Sequence, residues 1–153
     1  MAESQFVYVT FIRTTPEKLW RALLEPEFTR QYWVETTQES DWKPGSSWRI
    51  AKPNGETADS GEIVEIEPHR KLVLTWQNHM FPDMTAEGLS RLTYELEEKG
   101  DLVKLTLTHE MDKSESKLIK AVSGGWPMIL ASLKSLLETG ESLAATRKWP
   151  EGL

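Results

Sequence analysis

The side chains able to do chemistry in this sequence are few and scattered. His69, His79 and His109 show no metal-ligand spacing such as H-E-x-x-H, so no metal and no cofactor is expected. The absence of cysteine removes thiolate nucleophiles, disulfides and cysteine-bound zinc. Ser123-Gly124-Gly125 is not the G-x-S-x-G turn that exposes a nucleophilic serine. Among the carboxylates on strand-like segments, alternation turns Glu95 and Glu97 outward, where like charges are simply solvated. A buried carboxyl would support acid–base work, but the sequence singles none out. Two groups remain: His109 is in phase with Leu105 and Leu107, and Tyr94 shares a face with Leu92 and Leu96. Either has the chemistry for proton transfer to a bound carbonyl compound, yet a lone His on an apolar face is more often a hydrogen-bonded structural group.

Tryptophan is the compositional anomaly, with Trp 7 against Phe 4 and Tyr 3. Indoles favour core edges, cavities and interfaces, because a large apolar ring comes with an N–H that needs a partner. Trp33, Trp48, Trp76 and Trp126 fall on different predicted elements that can converge. Core filling is the commoner fate of any one of them, whereas four together favour an aromatic lining. Lys+Arg 18 against Asp+Glu 24 gives a net charge of −6, which argues against a nucleic-acid footprint. The N-terminus has neither the basic nor the apolar region of a signal peptide, and no run of about 18 apolar residues occurs. A cytoplasmic protein without a membrane span is therefore expected.

Those residues must be positioned by elements the pattern makes legible. The 153 residues read as one domain, 1–153, with no repeats and no linker. Residues 5–13 form a first strand, rich in β-branched and aromatic side chains. Thr15 and Pro16 then read as N-cap and first residue of a helix carrying Leu19, Trp20, Leu23 and Leu24, and Pro26 divides it from a second short helix ending near Trp33. From Trp42 to Glu110, turn signals containing Gly or Pro separate the segments 47–51, 56–67, 71–77, 89–98 and 102–110, all strand candidates. Ser114 is a candidate cap for a long helix over Ser116 to Glu138. Its stripe includes Leu118, Val122, Trp126, Ile129, Leu130 and Leu133, and Gly140 ends it. Pro127, after Gly124-Gly125, predicts a kink or break in that helix. The class is α+β: a curved antiparallel sheet of about six strands, two short helices after strand 1, and a long C-terminal helix covering one face.

In this order the residues resemble a known family. Thr15-Pro16, Leu19-Trp20, Ala22, Pro26-Glu27 and Trp33 match an "AP-x-x-VW-x-A … P-E-x-x-x-x-W" opening. Gly45, Trp48, Gly61, Val64, Glu67-Pro68, Leu72 and Trp76 match the middle motifs, and Gly125-Trp126, Leu130, Leu133 and Leu137 match a "GW-x-x-x-L-x-x-L" terminal helix. The sequence resembles START-like (SRPBCC) proteins grouped with homologues of the activator of the 90-kDa heat-shock protein ATPase. The resemblance implies a helix-grip fold with a cavity between sheet and C-terminal helix. Cavity candidates are Trp33, Trp48, Trp76, Tyr94, His109, Trp126, Ile129, Leu130 and Leu133, with no residue assigned as catalytic. With the tryptophan excess, that cavity leads to the expectation of a hydrophobic or aromatic ligand, lipid or polyketide-like, held without chemistry; the protein is expected to be a monomer or homodimer. The alternatives are a co-chaperone-like stress-response protein acting on a chaperone ATPase and, third, a cyclase or aromatase using His109 or Tyr94.

Overall fold

The computed structural model describes residues 2–153. Seven strands form an antiparallel sheet in the order β1-β7-β6-β5-β4-β3-β2. They are β1 (Ser4–Ile12), β2 (Thr37–Ser40), β3 (Ser47–Ala51), β4 (Thr57–Glu67), β5 (Lys71–Asn78), β6 (Ser90–Lys99) and β7 (Leu102–Met111). Helices α1 (Pro16–Leu24) and α2 (Pro26–Tyr32) follow β1, a one-turn α3 (Pro82–Thr85) follows β5, and α4 (Lys117–Thr139) closes the fold before a short tail. This is the helix-grip arrangement. The strand count exceeds expectation by one, because β2 is a four-residue polar edge (TQES) with none of the alternation that marks a strand. No helix among the described residues is long and apolar enough to cross a membrane.

Local chemistry explains the elements. The Thr15 hydroxyl accepts from the Lys18 N–H, and Pro16 opens α1 where its missing donor is harmless. Strict alternation on β6 and β7 buries Leu92, Tyr94 and Leu96 together with Val103, Leu105, Leu107 and His109. Gly61 has a different constraint: a Cβ there would sit 1.9 Å from the Thr75 carbonyl oxygen, so only glycine lets β4 and β5 approach.

Two helix expectations need correction. Ser116, not Ser114, caps α4, its hydroxyl accepting from the Ile119 N–H. The Glu87 carboxylate reinforces that end by accepting from Ser116 Oγ at 2.6 Å and from the Lys117 N–H at 2.8 Å. Pro127 does not break the helix: α4 is continuous to Gly140, which caps it at φ 88. A proline forfeits one hydrogen bond and crowds the carbonyl of the preceding turn, and the rest of α4, packed through its apolar stripe, holds the helix together across that position.

Along α4, Leu118, Ile119, Trp126, Leu130, Leu133, Leu136 and Leu137 are buried. Val122 and Ile129 are only half-buried, and the reason is a gap beneath them.

Candidate functional site

The gap is a cavity of about 140 Å³ between the sheet and the middle of α4. Four of the seven tryptophans line it: Trp33 after α2, Trp76 on β5, Trp126 on α4 and Trp149 in the C-terminal tail. Trp33 and Trp126 have ring centroids 5.2 Å apart, and Trp76 and Trp126 lie 5.7 Å apart, both edge-on. These are favourable aromatic geometries, and the rings brace one another as well as bounding space. Two broader grooves, of about 780 and 730 Å³, run over the outside of the sheet among charged side chains such as Glu95, Glu97 and Lys104 or Glu39, Asp41 and Arg49.

Three of the cavity indoles spend their N–H on the protein. Trp126 Nε1 donates to His109 Nδ1 at 3.1 Å, Trp149 Nε1 to the Leu153 carbonyl at 2.8 Å, and Trp76 Nε1 to Asp59 Oδ1 at 2.9 Å. Their rings therefore give the cavity apolar surface. Asp59, on β4, is the one ionisable residue of the lining. It is 8% exposed. Asn78 Nδ2 donates to the same oxygen at 3.1 Å, so both hydrogen bonds fall on Oδ1, and Oδ2 has no hydrogen-bond partner among the described residues. Burial pushes the carboxyl up to a pKa of about 6, against the opposing pull of the Asn78 and Trp76 hydrogen bonds. Asn78 Oδ1 in turn accepts from the Met80 and Phe81 N–H groups, which ties Asp59 to the loop at the cavity's edge.

The expected site residues divide into two groups. Trp33, Trp76, Trp126 and Ile129 line the cavity; Trp48, Tyr94, His109, Leu130 and Leu133 do not, each being buried behind its wall. Trp48 packs against Trp76 with tilted rings, 5.1 Å between centroids, and donates to Gln38 Oε1. His109 is completely enclosed: because Nδ1 accepts from Trp126, Nε2 carries the proton and donates to Ser90 Oγ at 2.8 Å, and the Ser90 hydroxyl donates to the Trp76 carbonyl. Both nitrogens are occupied and burial lowers the pKa to about 3, so His109 is a neutral brace with no free lone pair for a substrate. The Tyr94 hydroxyl has no hydrogen-bond partner among the described residues, and burial raises its pKa further. Neither geometry supports proton transfer at the cavity. Among the described residues no cluster of three or more His, Asp or Glu could hold a metal ion.

Several lining residues lay outside the expected set, and the two that matter most for the cavity's chemistry are Asp59 and Trp149. A third feature, backbone strain, also has no reliable sequence signal: Val34, β-branched, is held at φ 43 beside Trp33, its N–H donating to the Thr146 carbonyl at 2.8 Å.

Fold and cavity together define a helix-grip domain of the START-like (SRPBCC) class. The chain belongs to the family described as Activator of Hsp90 ATPase homolog 1-like protein, whose model matches residues 13–138. Among curated proteins none matches this chain. Solved structures of similar fold include protein MLL2253 from Mesorhizobium loti, with a TM-score of 0.74 and 23% identity over 88% of this chain and 97% of that one. The Aha1 dimer from Colwellia psychrerythraea has a TM-score of 0.72 and 18% identity, over 91% and 99%. ChR145 from Cytophaga hutchinsonii has a TM-score of 0.70 and 28% identity, over 92% and 97%. Trp149 lies beyond the family span, so the family pattern does not include this wall.

Proposed function

We propose that the domain binds a small, largely apolar molecule in the cavity beneath α4 and performs no chemistry on it. The observation that carries this reading is the convergence of four indoles from separate elements on one space with a single buried carboxyl. Pockets of that composition, apolar with one well-placed polar group, are the usual small-molecule sites. Size narrows the class: an apolar cavity of about 150 Å³ holds one benzene, so 140 Å³ suits a single ring or a short branched chain. A lipid tail or a polycyclic ketide would require α4 or the loop at Met80 to move outward. The test is native mass spectrometry of gently purified protein together with tryptophan fluorescence during titration with single-ring aromatics. A stoichiometric adduct or a saturable fluorescence change is expected; no adduct and no change across the panel would remove the reading.

The family's description favours a second reading, action on a chaperone ATPase. Its test is capture of the cell's own 90-kDa chaperone followed by an ATPase assay, in which an unchanged rate would eliminate it.

A further inference from the structure

The feature that fold stability does not account for is the charge on Asp59. Each buried indole N–H of the aromatic cluster needs an acceptor, and neutral ones are used nearby: Gln38 for Trp48 and His109 for Trp126. Asn at position 59 would serve Trp76 and Asn78 equally well through its own Oδ1. A carboxyl does that job and adds a second, unbonded oxygen in a desolvated site. No Lys, Arg or His pairs with it among the described residues, and no nearby charge contributes to its pKa. Lys52 is engaged instead with the ring of the wall residue Trp149, its Nζ 5.9 Å from the centroid. His79 is bonded to Ser60 at 2.6 Å. A buried charge without a partner is strongly unfavourable, and this one faces the same space as four indole rings, which attract cations through their π faces.

We propose that Asp59 is the polar anchor of the cavity and that the ligand is a small organic cation, an ammonium group carried on one aromatic ring or a short apolar stem. The ammonium donates to Oδ2 while the stem fills the space among Trp33, Trp76, Trp126 and Trp149. This inference rests on the binding reading above and adds the chemistry of the ligand to it.

The experiment titrates ¹⁵N-labelled protein at neutral pH with benzylamine, toluene and phenylacetate, following the indole N–H resonances, of which Trp76's is bonded to Asp59. Benzylamine is expected to bind about tenfold to a hundredfold tighter than toluene, the worth of a hydrogen bond to a charged group. In Asp59→Asn, which keeps an acceptor for Trp76 and Asn78, the two probes should bind alike. Equal affinity for benzylamine and toluene in the wild type, or tighter binding of phenylacetate, overturns the anchor while leaving the cavity a binding site. If none of the three probes perturbs the resonances, the binding reading falls and the anchor with it. The wild-type ranking decides the matter even if the variant does not fold.

Discussion

Asp59 and His109 make opposite demands on the pH dependence of stability, and the two can be separated by substitution. His109 has a folded pKa near 3 against 6.5 for the free side chain, because burial opposes its charge. The unfolded chain therefore binds a proton that the folded one refuses. This stability is fully present above pH 6.5 and is lost as pH falls toward 3, by about 1.4 kcal/mol per pH unit and about 5 kcal/mol in all. Asp59 runs the other way, with a folded pKa of about 6 against 3.8, again through burial. Its folded form holds a proton the unfolded form releases, so stability falls as pH rises from about 4 to 6, by the same slope and about 3 kcal/mol in all. Between about pH 4 and 6 the two slopes cancel in the wild type. His109→Gln, which preserves a donor for Ser90 and an acceptor for Trp126, should expose the Asp59 slope, so that stability declines as pH rises across that window. Asp59→Asn should expose the His109 slope, with stability climbing until about pH 6.5. The remaining ionisable groups are common to both variants, so urea unfolding at pH 4.5, 5.0, 5.5 and 6.0 should give lines diverging by about 2.8 kcal/mol per pH unit. Parallel lines would refute the assignment of these two side chains as buried groups with opposite proton preferences.

Three further perturbations test the neighbouring structure. A Cβ at Gly124 or Gly125 meets nothing within 4 Å, so either alanine variant should gain about 1 kcal/mol of helix stability and raise Tm by about 2–4 °C. Only Gly125 lines the cavity, so Gly125→Leu should abolish benzylamine binding while Gly124→Ala leaves it intact; unchanged binding in Gly125→Leu would place the ligand elsewhere. Glu87→Ala removes acceptors from the first turn of α4 and should cost about 1 kcal/mol in chemical denaturation, a null effect showing that Ser116 alone suffices. Gly61→Ala forces β4 from β5 and should destabilise by about 1–3 kcal/mol or more, whereas a wild-type melting curve would contradict the 1.9 Å approach.

The architecture was legible because its large elements repeat a simple period. Alternation on β6 and β7 and the three-and-four spacing on α4 each bury one face, and most of the buried residues are those the periods select. What failed to show lacks a period. β2 is too short and polar, and the continuity of α4 through Pro127 overrides the local signal a proline gives. Two walls of the cavity were legible for the same reason: Trp76 is in phase with Leu72 and Leu74, and Trp126 with Leu130 and Leu133. Asp59 carried a signal, since it lies two and four places before Gly61 and Ile63, and Ile63 faces the core. Ile63 and Val64 are equally apolar, however, and the bulges in β4 upset the count of faces: Ala58 and Asp59 are both buried. Trp149 is fixed by long-range contacts, its backbone N–H donating to Glu35 at 3.0 Å, which no local pattern encodes.

Several local penalties converge on one place in this molecule. Gly125 interrupts the interior of α4 where a methyl group would fit, at about 1 kcal/mol. Val34 holds a left-handed conformation beside Trp33, at about 1–3 kcal/mol. Asp59 keeps a carboxyl where a neutral amide would satisfy both its donors, at about the 3 kcal/mol its raised pKa implies. All three residues line the same 140 Å³. A core selected for stability alone would place an alanine at position 125, where a Cβ meets nothing within 4 Å, and an asparagine of the same shape at position 59. Departures from local consistency that share one location are what a functional site looks like in a folded chain. Their chemistry is also specific: the glycine leaves room, the carboxyl supplies charge, and the indoles supply apolar surface. Together they describe the complement of a small cation with an apolar body.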